Sequence, residues 1–233
     1  MRRSVLAAVL LALGAGGARA GDDTRPRAAD PAELTYTYAV GTFAPEYVPP
    51  APGSYALPTI DTVTDHPVVG SDGRPTTLFA LKGDRLAVVA FVYTTCVEAT
   101  GCPLSLGVLQ RLDRALAAEA PLGRRVVLLT VSFDPERDTP ARMATVRALH
   151  HPRTDWRFVT TRDEAELAPL LADFDQPVAK LRFEDGRWTG LFRHVLKVFL
   201  LDARNRVRNV YSAGFLDPSL VLNDLRTVLG ETR

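Results

Sequence analysis

Residues 86–103 read Leu86-Ala87-Val88-Val89-Ala90-Phe91-Val92-Tyr93-Thr94-Thr95-Cys96-Val97-Glu98-Ala99-Thr100-Gly101-Cys102-Pro103. The first eight are an unbroken apolar run rich in β-branched and aromatic residues. That pattern predicts a central strand covered on both faces. Cys96 falls just past the end of this strand, where open α/β sheets place their active crevices. Cys102 stands immediately before Pro103. Beyond it Leu104, Val108, Leu112 and Ala115, joined by Leu109 and Leu116, recur at helical spacing. A helix is therefore expected from Pro103 to about Glu119, with proline in the favoured first position. Backbone N–H groups and the helix dipole at that end are expected to favour Cys102 as a thiolate. A thiolate is the form that ligates a soft metal or attacks a disulfide.

Working outward, Tyr55–Ile60 and Val63–Val69 read as short strands, and Ser71-Asp72-Gly73-Arg74 as a turn. Arg125–Phe133 is a second buried strand. Thr139 caps a helix that has Pro140 at its first position and runs to about His150. Trp156–Thr160 is a third strand, and Thr161 or Asp163 opens a helix to about Phe174. Leu191–Leu201 and Val207–Ser212 form a hairpin around Asp202–Asn205, and Asp217-Pro218 opens a last helix ending near Gly230. Strands and helices in this alternation predict an α/β fold, a central mixed sheet with helices on both faces.

The first 20 residues have the three parts of a secretory signal. Arg2 and Arg3 are the charged region, Val5–Leu13 the apolar region, and Ala18-Arg19-Ala20 the cleavage site. The uncharged stretch Ser4–Ala18 has 15 residues, against about 20 for a membrane-spanning helix, so no permanent span is expected once the signal is cleaved. Residues 21–53, with Pro26, Pro31, Pro45, Pro49, Pro50 and Pro52, read as an extended linker or tail. The compact domain is expected over 54–233, in the periplasm or an equivalent exported compartment. Losing Arg2, Arg3 and Arg19 takes the basic count from 28 to 25 against 27 acidic residues, a net charge near −2. That balance argues against a nucleic acid or an anionic membrane surface as partner.

Two cysteines in an exported chain can simply form a structural disulfide. Closing so short a loop restrains the unfolded chain little, and the strand-end, helix-start placement points instead to metal or redox chemistry. The surrounding runs carry a resemblance. Phe91–Pro103, the run Val131-Ser132-Phe133-Asp134-Pro135-Glu136-Arg137-Asp138-Thr139-Pro140, Trp156-Arg157-Phe158-Val159-Thr160, and His194 ahead of Leu200-Leu201-Asp202 occur in the order seen in the SCO/SenC family. The resemblance spans about residues 54–230. It implies a thioredoxin-like fold and copper carriage to the CuA site of cytochrome c oxidase, or to a similar copper-receiving protein.

By that resemblance Cys96, Cys102 and His194 are the metal ligands. Asp134-Pro135 ends the second strand and Glu136–Thr139 build a turn and helix cap; Asp134 is the candidate for tuning the ligands from behind. Two thiolates and one imidazole suit copper, whereas a structural zinc site takes four protein ligands. From the residues alone, His194 opens an apolar strand, Val195–Leu201, so its ring can turn toward the crevice. The chain departs from the family twice. Five residues, Val97–Gly101, separate the cysteines where three are usual, and Val195 replaces a small hydroxyl residue. The rival reading is a thiol–disulfide oxidoreductase using the pair Cys96 and Cys102 on a metalloprotein's cysteines. A thiol peroxidase would want proline at position 88, which is Val88. His150 and His151 are expected as cations at a helix C-terminus, and His66 has no assigned role.

Overall fold

The computed structural model describes residues 47–231. The expected signal (1–20) and most of the expected tail (21–53) lie outside them. The strands are β1 (Asp61–Thr62), β2 (Pro67–Gly70), β3 (Pro75–Thr77), β4 (Leu86–Val92), β5 (Val126–Ser132), β6 (Trp156–Thr160), β7 (Val178–Arg182), β8 (Trp188–His194), β9 (Val198–Leu201) and β10 (Arg206–Tyr211). The helices are α1 (Leu78–Lys82), α2 (Cys102–Ala118), α3 (Ala120–Gly123), α4 (Pro140–His150), α5 (Glu164–Asp173) and α6 (Pro218–Gly230).

Eight strands form one mixed sheet in the order β1-β10-β9-β4-β5-β6-β2-β3. β4, β5 and β6 run parallel, while β9 lies antiparallel to β4, and β10 to β9. The β4–α2–β5 unit followed by the β9–β10 hairpin and α6 is a thioredoxin-like core. All seven residues of β4 are buried because both faces are covered. Leu86, Val88 and Ala90 pack with Leu104, Leu109 and Leu112 of α2 and Leu225 of α6. Ala87, Val89 and Phe91 face the other way, toward Leu167, Leu170 and Phe174 around α5. The period of two in a strand thus divides one apolar run between two cores. Each buried aliphatic side chain in them contributes about 1.5–3 kcal/mol.

Three expectations need correction. Tyr55–Ile60 is not a strand; it straps across β10, with Arg208 Nε donating to Leu57 O at 2.8 Å and Ile60 N to Val207 O at 2.8 Å. Pro58 has no N–H to offer a ladder. Within Val63–Val69 only Pro67–Val69 are extended and paired. Most consequentially, Leu191–Leu201 is not one strand. It breaks at Val195–Lys197, so that β8 pairs with β7 in a separate two-stranded sheet and only β9 joins the main one. β3, α1 and β7 were not foreseen.

Candidate metal centre

β4 ends at Val92, and the chain enters the cysteine loop under the control of a buried carboxylate. Asp138 has no exposed surface. It accepts from Thr94 N at 2.9 Å, Thr94 Oγ1 at 2.5 Å and Ser132 Oγ at 2.6 Å. One anion thereby ties the start of the loop to the end of β5. Sequence reasoning missed this residue, although it lies inside the Asp134–Pro140 run. Thr94 is thereby fixed within the loop, whereas Thr95 is exposed. Further on, Cys96 N donates to Tyr93 O at 3.2 Å and Gly101 N to Glu98 O at 2.9 Å. A Cβ on Gly101 would lie 3.3 Å from both Cys96 Sγ and Glu98 O, so glycine lets the loop close against the first sulfur. Cys102 then opens α2 with Pro103 in the first turn.

His194 arrives from elsewhere, as the last residue of β8. Its ring packs against Tyr93 and Phe133, with centroids 5.6 and 5.2 Å away. Its Nε2 stands 3.7 Å from Cys102 Sγ, and that sulfur also accepts from Tyr93 N at 3.4 Å. The donor atoms of Cys96, Cys102 and His194 all lie within 4.8 Å of one another. A three-coordinate ion with ligands at about 2.0–2.3 Å separates its donors by about 3.5–4 Å, so this set needs little movement to close on one. Both cysteines are unbridged; Cys96 is half-buried and Cys102 is 3% exposed.

The charges are unevenly shared. The Cys96 thiol is held down to about 3, first by the hydrogen bond from the Cys102 thiol and, after burial acting the other way, by that from His194. Cys102 is pushed up, first by sharing its proton with Cys96 and then by burial. The helix-start argument therefore picked the wrong sulfur. Two sulfurs this close do not ionise together without a cation, and the more exposed one keeps the charge. That charge raises His194 by hydrogen bonding, against burial. Burial, then the Cys96 charge, lifts Tyr93 to about 12.

The remaining expected residues sort themselves. Asp134 is 1% exposed and bonds to none of the three donors; its Oδ2 accepts from Arg137 Nε at 2.5 Å, while Oδ1 has no hydrogen-bond partner. Burial raises its carboxyl and Arg137 counters. His150 is not the capping cation expected. Its ring lies 5.1 Å from Trp156 and 5.9 Å from Phe158, and burial lowers its pKa. His66 stays away from the sulfurs, its Nε2 2.9 Å from Asp173 Oδ2.

The family model described as SCO1/SenC matches residues 57–230, most of the chain. The chain belongs to the SCO1/SenC family. No curated protein matches it. Among solved structures, this SCO1/SenC chain is similar to Bradyrhizobium japonicum ScoI with copper bound, with 24% identity and a TM-score of 0.57 over 72% of this chain and 99% of that one. It is similar to Arabidopsis thaliana ScoI with copper bound at 19% identity and a TM-score of 0.61, over 73% and 99% of the two chains. A third likeness is to BsSco, a member of the Sco family of cytochrome c oxidase assembly proteins in which a disulfide switch was identified. It has 20% identity and a TM-score of 0.58, over 75% and 98%. These likenesses confirm the thioredoxin-like fold of the SCO1/SenC chain.

Proposed function

We propose that this protein is exported, binds one copper ion through Cys96, Cys102 and His194, and delivers it to the CuA site of cytochrome c oxidase or a similar copper protein. The observation that carries the reading is the convergence of two sulfurs and one imidazole from a loop and a separate hairpin. Thiolates select Cu(I), and an imidazole serves either oxidation state. Copper supplies the positive charge that lets Cys102 ionise beside Cys96. Transfer proceeds by ligand exchange with the target's own cysteines. The copper-bound ScoI neighbours support the cargo, and the N-terminal signal supports export. Among the described residues no helix is long and apolar enough to cross a membrane.

The test is an anaerobic copper titration of the reduced protein, followed by absorption and EPR spectra, for wild type, Cys96→Ser and His194→Ala. Wild type should take up one ion, and both variants should bind more weakly with altered spectra. An unchanged stoichiometry and spectrum in His194→Ala would remove the imidazole from the site.

The low pKa of Cys96 supports a second reading, a thiol–disulfide oxidoreductase. The Cys96 thiolate would attack a target disulfide, releasing one target thiolate and forming a mixed disulfide. Cys102 would give up its proton and displace the second target sulfur, leaving Cys96–Cys102 oxidised and the target reduced. This activity should survive in His194→Ala, whereas copper carriage should not.

A further inference from the structure

His194 is held by an element that the main sheet does not hold. β7 and β8 pair only with each other. Beneath them a cavity of about 220 Å³, lined by Phe133, Leu167, Leu171, Val178 and Phe192 among others, separates the hairpin from α5. Phe192 is buried against Tyr93 and Phe133, at 5.0 and 5.3 Å. Such apolar contacts set depth but are non-directional, so they leave the register of β8 open.

Direction comes from side-chain hydrogen bonds: Gln176 Nε2 donates to Val195 O at 2.9 Å, just past His194, and Arg137 grips the strand further back. Arg137 Nε donates to Asp134 Oδ2 at 2.5 Å, and its Nη2 donates to Gly190 O at 3.0 Å. Its guanidinium carbon lies 4.1 Å from the centre of the Trp188 ring. Gly190 has φ +86°, and β8 is irregular here, with its register shifting between Trp188 and Phe192. The bend turns a carbonyl out of the ladder toward Arg137. The far end of the clamp is a buried carboxylate at the end of β5, part of the rigid sheet. Lys180 adds a second tie, reaching Trp188 at 4.7 Å and bonding Glu136 at 3.2 Å and Glu164 at 2.5 Å.

We infer that Arg137 is a positioning residue for the metal centre: gripping Gly190 O and the Trp188 ring, it fixes β8 and so aims His194 at the two sulfurs. The inference rests on the ligand role proposed for His194. It also gives Asp134 a role, as the anchor that holds Arg137 rather than as a neighbour of the ion.

Arg137→Lys keeps the charge and loses the planar fork. Trp188→Leu leaves the Asp134–Arg137 pair intact and removes the stacking surface. Arg187→Ala, on the same hairpin but outside the clamp, its side chain meeting Asp185 and the Phe183 ring, is the control. Cu(I) affinity is measured by chelator competition and the Cu(II) site by EPR. The His194 imidazole is followed by NMR in the metal-free protein, alongside its urea midpoint. Each clamp variant should bind copper about 10-fold or more weakly, the usual effect of losing a group that orients a ligand. Each should shift the Cu(II) EPR parameters and broaden or split the metal-free His194 signals, while the control matches wild type. Clamp variants that fold and match wild type in affinity, EPR and His194 signals overturn the inference. So does weakened binding in proportion to a lowered urea midpoint with His194 signals unchanged. If wild type itself takes up no copper, the proposed function fails, while the metal-free His194 signals still decide whether Arg137 fixes the ring.

Discussion

Cys96 and Cys102 are six positions apart and chemically unlike. Cys96 is half-buried and hydrogen-bonded as a thiolate; Cys102 lies under the loop with its proton retained. In the reduced, metal-free protein, iodoacetamide should therefore label Cys96 far faster than Cys102. Because the Cys96 pKa is depressed, that rate should stay nearly flat from pH 5 to pH 8, where an ordinary thiol near 8.5 would accelerate steeply. Mapping the label by mass spectrometry checks both statements, and a tenfold rise per pH unit would contradict them. Asp138 bears on the same loop from behind. Asp138→Ala leaves Thr94 and Ser132 without their acceptor, and a hydrogen bond to a charged group is worth about 1.5–3 kcal/mol. A loss of about 2–4 kcal/mol is expected in urea unfolding. The two cysteines and His194 were legible as a set from the resemblance alone. Asp138 was not, because nothing in a run of charges says which carboxylate turns inward.

At the level of elements, the β9–β10 turn should carry part of the acid sensitivity, alongside the depressed carboxylates Asp155 and Asp173. Burial raises the Asp202 carboxyl, but hydrogen bonds from the Arg206 side chain and the Arg204 and Arg206 N–H groups outweigh it and bring it below the ordinary range. A carboxylate depressed in the folded state adds stability that is fully present above its unfolded value of about 3.9. That stability is lost as pH falls through the folded value. Asp202→Asn should be less stable than wild type at pH 7, and the gap should shrink below about pH 4 as Asp202 protonates in wild type. Urea midpoints across pH 2–7 measure it. The starts of α4 and α6, each with a capping residue and a proline, were readable to the residue, because caps are local chemistry. The β8–β9 boundary was not. Val195 and Leu196 continue the apolar pattern through the break, so no hydropathy signal marks where one sheet hands over to the other. What separates them is tertiary: His194 belongs to the hairpin and Val198 to the main sheet.

For the whole molecule, two donors come from the loop and helix start that follow β4 and the third from the separate β7–β8 sheet, so a bound ion would also be a cross-link. Copper that binds only the folded form stabilises it by mass action, by about 2.7 kcal/mol at 100 times Kd. Calorimetry of the reduced protein should show its melting temperature rising with added Cu(I). The rise should be smaller in His194→Ala and absent after Cys96 and Cys102 are oxidised to a disulfide. An equal rise in all three forms would place the ion elsewhere.

The unequal exposure of the two sulfurs gives the centre a front and a back. A rival ligand arriving from solvent meets the half-buried Cys96 before Cys102, which is 3% exposed. An ion held as proposed would then leave sequentially, the outer sulfur relinquished before the inner one. Under the delivery role proposed above, access to the inner sulfur would govern transfer as much as the strength of its bonds.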